Sequence, residues 1–220
     1  MLRKKRITKA QDERRRELLD AARELFVEKG YEETSVSDIV GRVDVAQGTF
    51  YLYFRSKQEI LIAILRELLE HLAAIMRHIA DDEELPAVDK LRTMWSEVIA
   101  RMADQSKLVQ AFYLRVNVPL HAEILKDLDS LILPVLSKVI RQGVADGVFW
   151  VTHVEAAASF VLTLGYRLFE HVAQERLAMA GPEAVKGTTS RPDGQSVLSQ
   201  ALWEFILGGL GAGSSTEGKR

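Results

Sequence analysis

Apolar residues recur along most of this chain at every third or fourth position, and alternating apolar-polar runs are almost absent, so the pattern predicts helices and hardly any strand. From Arg14 to Lys29, Leu18, Ala22, Leu25 and Phe26 fall at helical spacing, and Gly30 offers the left-handed residue that commonly ends a helix. Ser35 is a good N-cap for a two-turn helix over Val36 to Val43. Asp38 stands three residues on as a capping-box acid, where Glu or Gln is more usual. Asp44 occupies the chain reversal, Val45 points inward, and Gln47 to Tyr53 forms a third short helix that Phe54 closes. Ser56-Lys57-Gln58-Glu59 is a capping box opening a long helix to about Ala80, with Leu61, Ile64, Leu65, Leu68, Leu72, Ile75 and Ile79 inward.

Further on, Pro86 to Asp104 carries Val88, Leu91, Trp95, Val98 and Met102 on one face, with proline in the first turn where its missing donor costs little. Ser106 caps a helix ending near Asn117. Another helix spans about Leu120 to Asp146, with Ile124, Leu128, Leu131, Val135 and Val139 inward, and Pro134 is expected to kink or break it. Thr152-His153-Val154-Glu155 reads as a second capping box, starting a helix to about Ala180. Gly181 to Gln195 reads as a surface loop, Ser196 to Leu207 as the last helix, and Gly208 to Arg220 as a loose tail. The expected fold is all-α: a helix-turn-helix domain with a basic arm over residues 1–55, a C-terminal helical bundle over 56–210, and a disordered tail over 211–220.

Composition narrows the class. With 220 residues, 47% of them hydrophobic, and a mean hydropathy of -0.02, the chain can bury a substantial core. No run of about 18 apolar residues suggests a membrane span, and the charged start MLRKKRITKAQDERRR lacks the apolar stretch of a signal peptide, so a cytoplasmic protein is expected. The absence of cysteine removes disulfides, thiol catalysis and thiolate metal sites. Charge is uneven: residues 1–58 hold 13 Lys+Arg against 10 Asp+Glu, residues 59–220 hold 16 against 21, and the first 16 residues hold 8 against 2. A basic arm suits a phosphate-facing surface, since neutralising phosphates releases counterions, and it equally suits a solvated tail.

The chemistry concentrates in Thr34 to Leu61. Phe50 and Phe54 share a helical face and are read as core. Tyr51 and Tyr53 cannot both join them, and a tyrosine at a domain edge can bury its ring while offering its hydroxyl to a phosphate. Gly48 costs about 0.5–1 kcal/mol in a helix relative to alanine, so it either lets the helix approach something closely or relaxes crowded packing between helices. Gln47 can pair with an adenine edge, and Thr49 can touch a thymine methyl or a phosphate. Lys57 joins a positive charge to a helix N-terminus, and both attract phosphate.

Ser35, Ser37, Ile39, Val45, Gly48-Thr49-Phe50-Tyr51, Tyr53-Phe54, Lys57 and Ile60-Leu61, with Gly30-Tyr31 upstream, resemble the helix-turn-helix signature of TetR-family transcriptional regulators. The resemblance implies a homodimeric repressor with helix three of each subunit in a major groove and a helical C-terminal domain that binds a small inducer. By position it implies DNA contacts at Ser37, Gln47, Gly48, Thr49, Tyr51, Tyr53 and Lys57, and Ser35 and Leu52 stand beside them as further candidate DNA contacts. This chain departs from the pattern in two places. Val43-Asp44 replaces the usual Ala-Gly at the turn, placing Asp44 in a conformation glycine enters more easily, and Leu52 makes any base reading there apolar.

Beyond about residue 65 only the pattern speaks. Trp95, Met102, Phe112, Tyr113, Leu128, Phe160 and Leu164 come from four helices and are candidates for an apolar effector pocket or for plain core. Arg115, Asn117 and His121 either hold a polar group of that effector or cap helix ends. Small residues Ala156, Ala157, Ala158, Ser159 and Gly165, with apolar Val197, Leu202, Phe205 and Ile206, make the last two helices a dimer interface or an intrachain core. His71, His78, His121, His153 and His171 show no metal-ligand clustering, and Gly209, Gly211 and Gly213 lack the strand and helix a nucleotide loop needs. The expected function is therefore ligand-responsive repression of a palindromic DNA operator by a homodimer, released by a small apolar or amphipathic effector of unknown identity. No cofactor, metal or membrane partner is expected. The alternative is an all-helical enzyme or carrier for an apolar molecule.

Overall fold

The computed structural model describes the backbone of residues 2–104, 108, 111–112, 118–179 and 193–212, and the side chains of 11–101, 108, 111, 112, 120–167, 200, 201 and 203–212. Helices follow one another without a strand among the described residues: α1 (Leu2–Lys29), α2 (Val36–Arg42), α3 (Gln47–Tyr51), α4 (Lys57–Asp81), α5 (Ala87–Asp104), α6 (Val118–Ala145), α7 (Val154–Met179) and α8 (Asp193–Gly209). The chain divides into two compact units, Met1–Leu68 with Met102–Ile124, and Leu69–Arg101 with Leu125–Arg220.

In the first unit α1 packs on α2 and α2 on α3. Leu18, Ala22, Leu25 and Phe26 of α1, Ile39 and Val40 of α2, Phe50, Phe54, and Ile60, Leu61 and Ile64 of α4 are all buried. These are the positions that the helical periodicity turns inward. Arg23 bridges to Glu67, closing the outer edge between α1 and α4. Helix α1 begins twelve residues before the expected Arg14, because the basic arm contains neither glycine nor proline and consists largely of good helix formers.

The second unit is built around Ala73, Met76, Leu91, Met94, Ile132, Val135, Leu136, Val139, Ile140, Phe149 and Ile206. Lys90, only 2% exposed, is the surprise in this core. Its ammonium donates to Ala80 O at 2.9 Å and to Gln142 Oε1 at 2.7 Å, while Gln142 Nε2 donates to Leu85 O at 3.3 Å. One cation therefore satisfies a carbonyl near the end of α4 and fixes α6 against the α4–α5 turn, as a buried charge requires.

Several boundaries differ from expectation. Pro134 does not break its helix, which runs continuously from Val118 to Ala145. Pro134 itself is exposed while Ile132, Val135 and Leu136 on either side are buried, so packing outweighs a cost of about 3 kcal/mol. The expected box at Thr152 is not formed as such: α7 starts at Val154, and Glu155 pairs with Arg141 at 2.7 Å. Helix α8 begins at Asp193, where a loop through Gln195 was expected. Residues 208–212 are not a loose tail, since Leu210 is 2% exposed and its carbonyl accepts from Trp150 N at 2.7 Å. The helix expected from Ser106 to Asn117 lies mostly outside the described residues, as do 180–192 and 213–220.

Candidate nucleic-acid interface

Helices α2 and α3 are held at their turn by backbone hydrogen bonds that the sequence makes possible. Val45 N donates to Val40 O at 3.1 Å and Asp44 N to Gly41 O at 3.3 Å, the paired bonds of a Schellman motif. That motif needs a left-handed residue, and Asp44 supplies it at φ 53°, alone among the described non-glycine residues. Aspartate tolerates this region better than most residues, so the turn forms without the glycine usual there. At the other end of α2, Ser35 and Asp38 close a full capping box: Asp38 N donates to Ser35 Oγ at 3.1 Å and Ser35 N to Asp38 Oδ2 at 2.7 Å. Hydrogen bonds from the Ser35 hydroxyl and N–H, and then Lys29 at 3.0 Å, hold the Asp38 carboxyl well below the usual aspartate range.

Helix α3 ends at Tyr51, two residues short of the expected Tyr53. Leu52 N turns to Thr49 O at 3.3 Å and Tyr53 N to Phe50 O at 3.0 Å, a tightening into a 3₁₀-like last turn. Phe50 and Phe54 are buried and their rings lie 5.7 Å apart. Tyr51 stands edge-on to Phe50 at 5.4 Å and remains 54% exposed, and Leu52 is 80% exposed. Gln47 and Gly48 are exposed, and Thr49 and Tyr53 are half-buried. A Cβ on Gly48 would meet nothing within 4 Å. Crowding between helices therefore does not explain this glycine.

The remaining candidates differ in how free they are. Ser37 is exposed on the first turn of α2, whereas the exposed Ser35 has its hydroxyl committed to the capping box. Lys57 Nζ donates to Tyr31 O at 2.7 Å, Thr34 O at 2.9 Å and Glu32 O at 3.3 Å, and lies 4.2 Å from the Tyr31 ring centroid. Burial lowers its pKa below the usual lysine value, opposed by the nearby Glu32, Glu33 and Asp38. Of the nearby basic groups, Arg42 is paired with Glu24 and Glu28 and Lys29 with Asp38, while the exposed Arg15 lies over the Phe54 ring at 5.3 Å. Arg55 is the residue that pattern reading passed over. Its side chain is exposed and pairs with no carboxylate among the described residues, while Glu59 accepts its backbone N–H at 2.6 Å. Only its place beside Phe54 hinted at this.

The sequence-nominated pocket residues are dispersed. Trp95, Leu128 and Leu164 are half-buried in the second unit, where Trp95 packs so closely on Gly165 that an added Cβ would sit 3.1 Å from its ring. Phe112 is buried in the first unit and stacks on His121 at 4.3 Å. Phe160 is 69% exposed. The side chain of Met102 and all of Tyr113, Arg115 and Asn117 lie outside the described residues. A groove of about 660 Å³ runs between α7 and α8, lined chiefly by Ala156, Ala157, Phe160, Leu164, Phe205 and Gly209. Of the small residues expected at an interface, Ala156 and Ala157 line this groove, whereas Ala158 and Gly165 face the unit's own interior.

Residues 18–64 match the family of bacterial regulatory proteins of the tetR type. The chain is 29% identical over 136 residues to the fatty acid metabolism regulator protein of Bacillus subtilis (strain 168), covering 60% of this chain and 68% of the relative. It is 26% identical over 137 residues to the transcriptional repressor DhaR of Mycobacterium sp. (strain GP1), with the same shares covered. Its fold matches the crystal structure of the regulator FadR from Bacillus subtilis in complex with stearoyl-CoA, with a TM-score of 0.63 and 23% identity over 88% of this chain and 97% of that one. These relatives and this structural neighbour are regulators rather than enzymes. The helix-turn-helix geometry and the match within residues 18–64 agree, and this segment is similar to the tetR family of bacterial regulatory proteins.

Proposed function

We propose that the chain is a ligand-responsive repressor that binds a palindromic operator as a homodimer and is released by an amphipathic acyl-type effector. The observation that carries the DNA-binding part is the outward face of α3. Phe50 and Phe54 anchor the helix from behind, leaving Gln47, Gly48, Tyr51 and Leu52 exposed on a rigid scaffold. Gln47 offers an adenine-pairing amide, Leu52 and Thr49 suit thymine methyls, and Tyr51, Tyr53, Ser37 and Arg55 suit phosphates. Two such modules related by a two-fold axis call for a palindrome with half-sites about one or two DNA turns apart.

The groove between α7 and α8 supports the dimer, because Phe160 and Phe205 are 69% and 65% exposed there and small residues beside them permit close helix approach. The acyl class is supported by the fatty acid metabolism regulator among the relatives and by the stearoyl-CoA complex among the structural neighbours. Within the second unit we assign Trp95, Leu128 and Leu164 to the effector site. Effector binding there shifts α4 and so the spacing of the two α3 helices, which couples the sites.

Fluorescence anisotropy on promoter fragments from the surrounding genome tests the reading. The expected result is salt-dependent, sequence-selective binding that long-chain acyl-CoA reverses and free CoA does not. Selective binding untouched by any acyl-CoA sinks the effector class alone, and no selectivity on any fragment sinks repression. Tyr51→Ala is expected to weaken binding without altering the far-ultraviolet circular dichroism.

A further inference from the structure

We infer that Lys90 is a positioning residue for the effector response, a buried joint through which α5 and α6 hold the last turn of α4, so that movement at the effector site reaches that helix. This rests on the reading of Trp95, Leu128 and Leu164 as the effector site and of α4 as the helix that effector binding shifts. Lys90 lies in the first turn of α5, where its backbone N–H donates to Pro86 O at 2.9 Å. Its side chain, 2% exposed, reaches two other helices. The ammonium donates to Ala80 O in the last turn of α4 at 2.9 Å and to Gln142 Oε1 on α6 at 2.7 Å. Gln142 donates in turn to Leu85 O at 3.3 Å, closing the joint around the α4–α5 turn. A methionine would fill much the same volume, so what the ammonium adds is directed bonds to two acceptors at once.

The two helices that meet at this ammonium are the ones that carry effector residues. Trp95 follows Lys90 on α5, and Leu128 precedes Gln142 on α6. A ligand that spreads α5 from α6 therefore pulls Lys90 and Gln142 apart, and the ammonium either draws the Ala80 carbonyl along or lets it go. That carbonyl is among the last four of α4, which lack a donor within the helix and attract a cation. Helix α4 is continuous from Lys57 to Asp81, so a change imposed on its last turn is carried along a single rigid element. A second tether joins the same turn to α6, Asp81 to Lys138 at 2.5 Å, but with these side chains 66% and 57% exposed. Water screens such a pair, which makes it the natural control for the buried joint.

The test uses the full-length protein with palmitoyl-CoA as the effector probe. Lys90→Met is expected to bind palmitoyl-CoA and the selected promoter fragment, each alone, within about threefold of wild type, while the factor by which palmitoyl-CoA weakens DNA binding falls about tenfold. A merely structural lysine would lower stability or both affinities and leave that factor as it was. Lys138→Met, removing the exposed tether, leaves it unchanged. An unchanged factor in Lys90→Met overturns the inference. Hydrogen exchange without DNA or ligand decides independently of the effector. Gln142→Leu is expected to speed amide exchange over residues 77–82 about tenfold in the parent chain and to add nothing in Lys90→Met, because α6 reaches this turn through the ammonium. Additive effects of the two substitutions, or no effect of either, overturn the joint. Should Lys90→Met fail to fold, Gln142→Leu decides alone, by the exchange over 77–82 and by the same factor. If wild type ignores palmitoyl-CoA while the exchange result holds, the joint stands and the proposed effector class fails.

Discussion

Gly48 and Asp44 show how differently two residues of one small module are constrained. Asp44 answers to the backbone: a left-handed position at φ 53° must be filled for α2 to end in its paired bonds, and the sequence shows the need because aspartate stands where glycine is usual. Gly48 answers to nothing inside the chain, since a side chain there meets empty space. Sequence alone left two explanations for this glycine, and only coordinates separate them, because crowding is a property of neighbours distant along the chain. Gly48→Ala is accordingly expected to raise stability by about 0.5–1 kcal/mol through helix propensity and to weaken operator affinity by obstructing close approach. Urea unfolding and anisotropy on the same preparation check both halves. A gain in stability with affinity intact removes Gly48 from the interface.

Among the elements, those opened by local chemistry were legible and those governed by distant packing were not. The Ser35 box, the Gly30 stop and the inward stripe of α4 all follow from residues within a turn or two of one another, and the structure shows each of them. Pro134 misled because its local penalty is real but is outweighed by buried neighbours on α6, and Glu155 misled because Arg141, fourteen residues away, takes its carboxylate. Lys90 left no trace in the pattern, where it reads as one more polar position on α5. The α2 cap also carries a pH signature. The folded-state pKa of Asp38 lies below its ordinary 3.8, so its stabilising effect is complete above the unfolded value and is lost as pH falls from about 4 downward through the folded one. Ser35→Ala is expected to lower stability by about 1 kcal/mol at neutral pH, and by less at pH 3, where the Asp38 carboxyl of the unfolded chain is largely protonated while that of the folded chain is still ionised. Urea midpoints at the two pH values measure this, and an equal loss at both refutes the contribution of Asp38.

On the scale of the molecule, the two units were legible to unequal degrees. The first was readable because its buried positions and its candidate contact residues interleave within fewer than thirty residues. The second contributes an apolar groove between α7 and α8 whose lining comes from segments about fifty residues apart, and whose exposed phenylalanines no periodicity distinguishes from core. If this groove joins two copies, Phe160→Glu, at a position already exposed in the single chain, leaves folding intact and weakens the dimer about thirtyfold or more. Sedimentation equilibrium reads that shift, and operator affinity falls with it. A dimer of unchanged strength removes Phe160 from the interface.

The second unit also contains a pair whose fates are joined. Phe149 presses so closely on α6 that a Cβ at Gly143 would lie 2.1 Å from its ring, and Phe149 N donates to the carbonyl of that same glycine at 3.0 Å. Neither position can drift alone. A side chain at 143 demands a smaller residue at 149 or a displaced loop, so across descendants of this sequence the two are expected to change together or not at all. Anyone recombining segments of related chains with a junction between residues 143 and 149 would break that agreement, however similar the two halves are elsewhere.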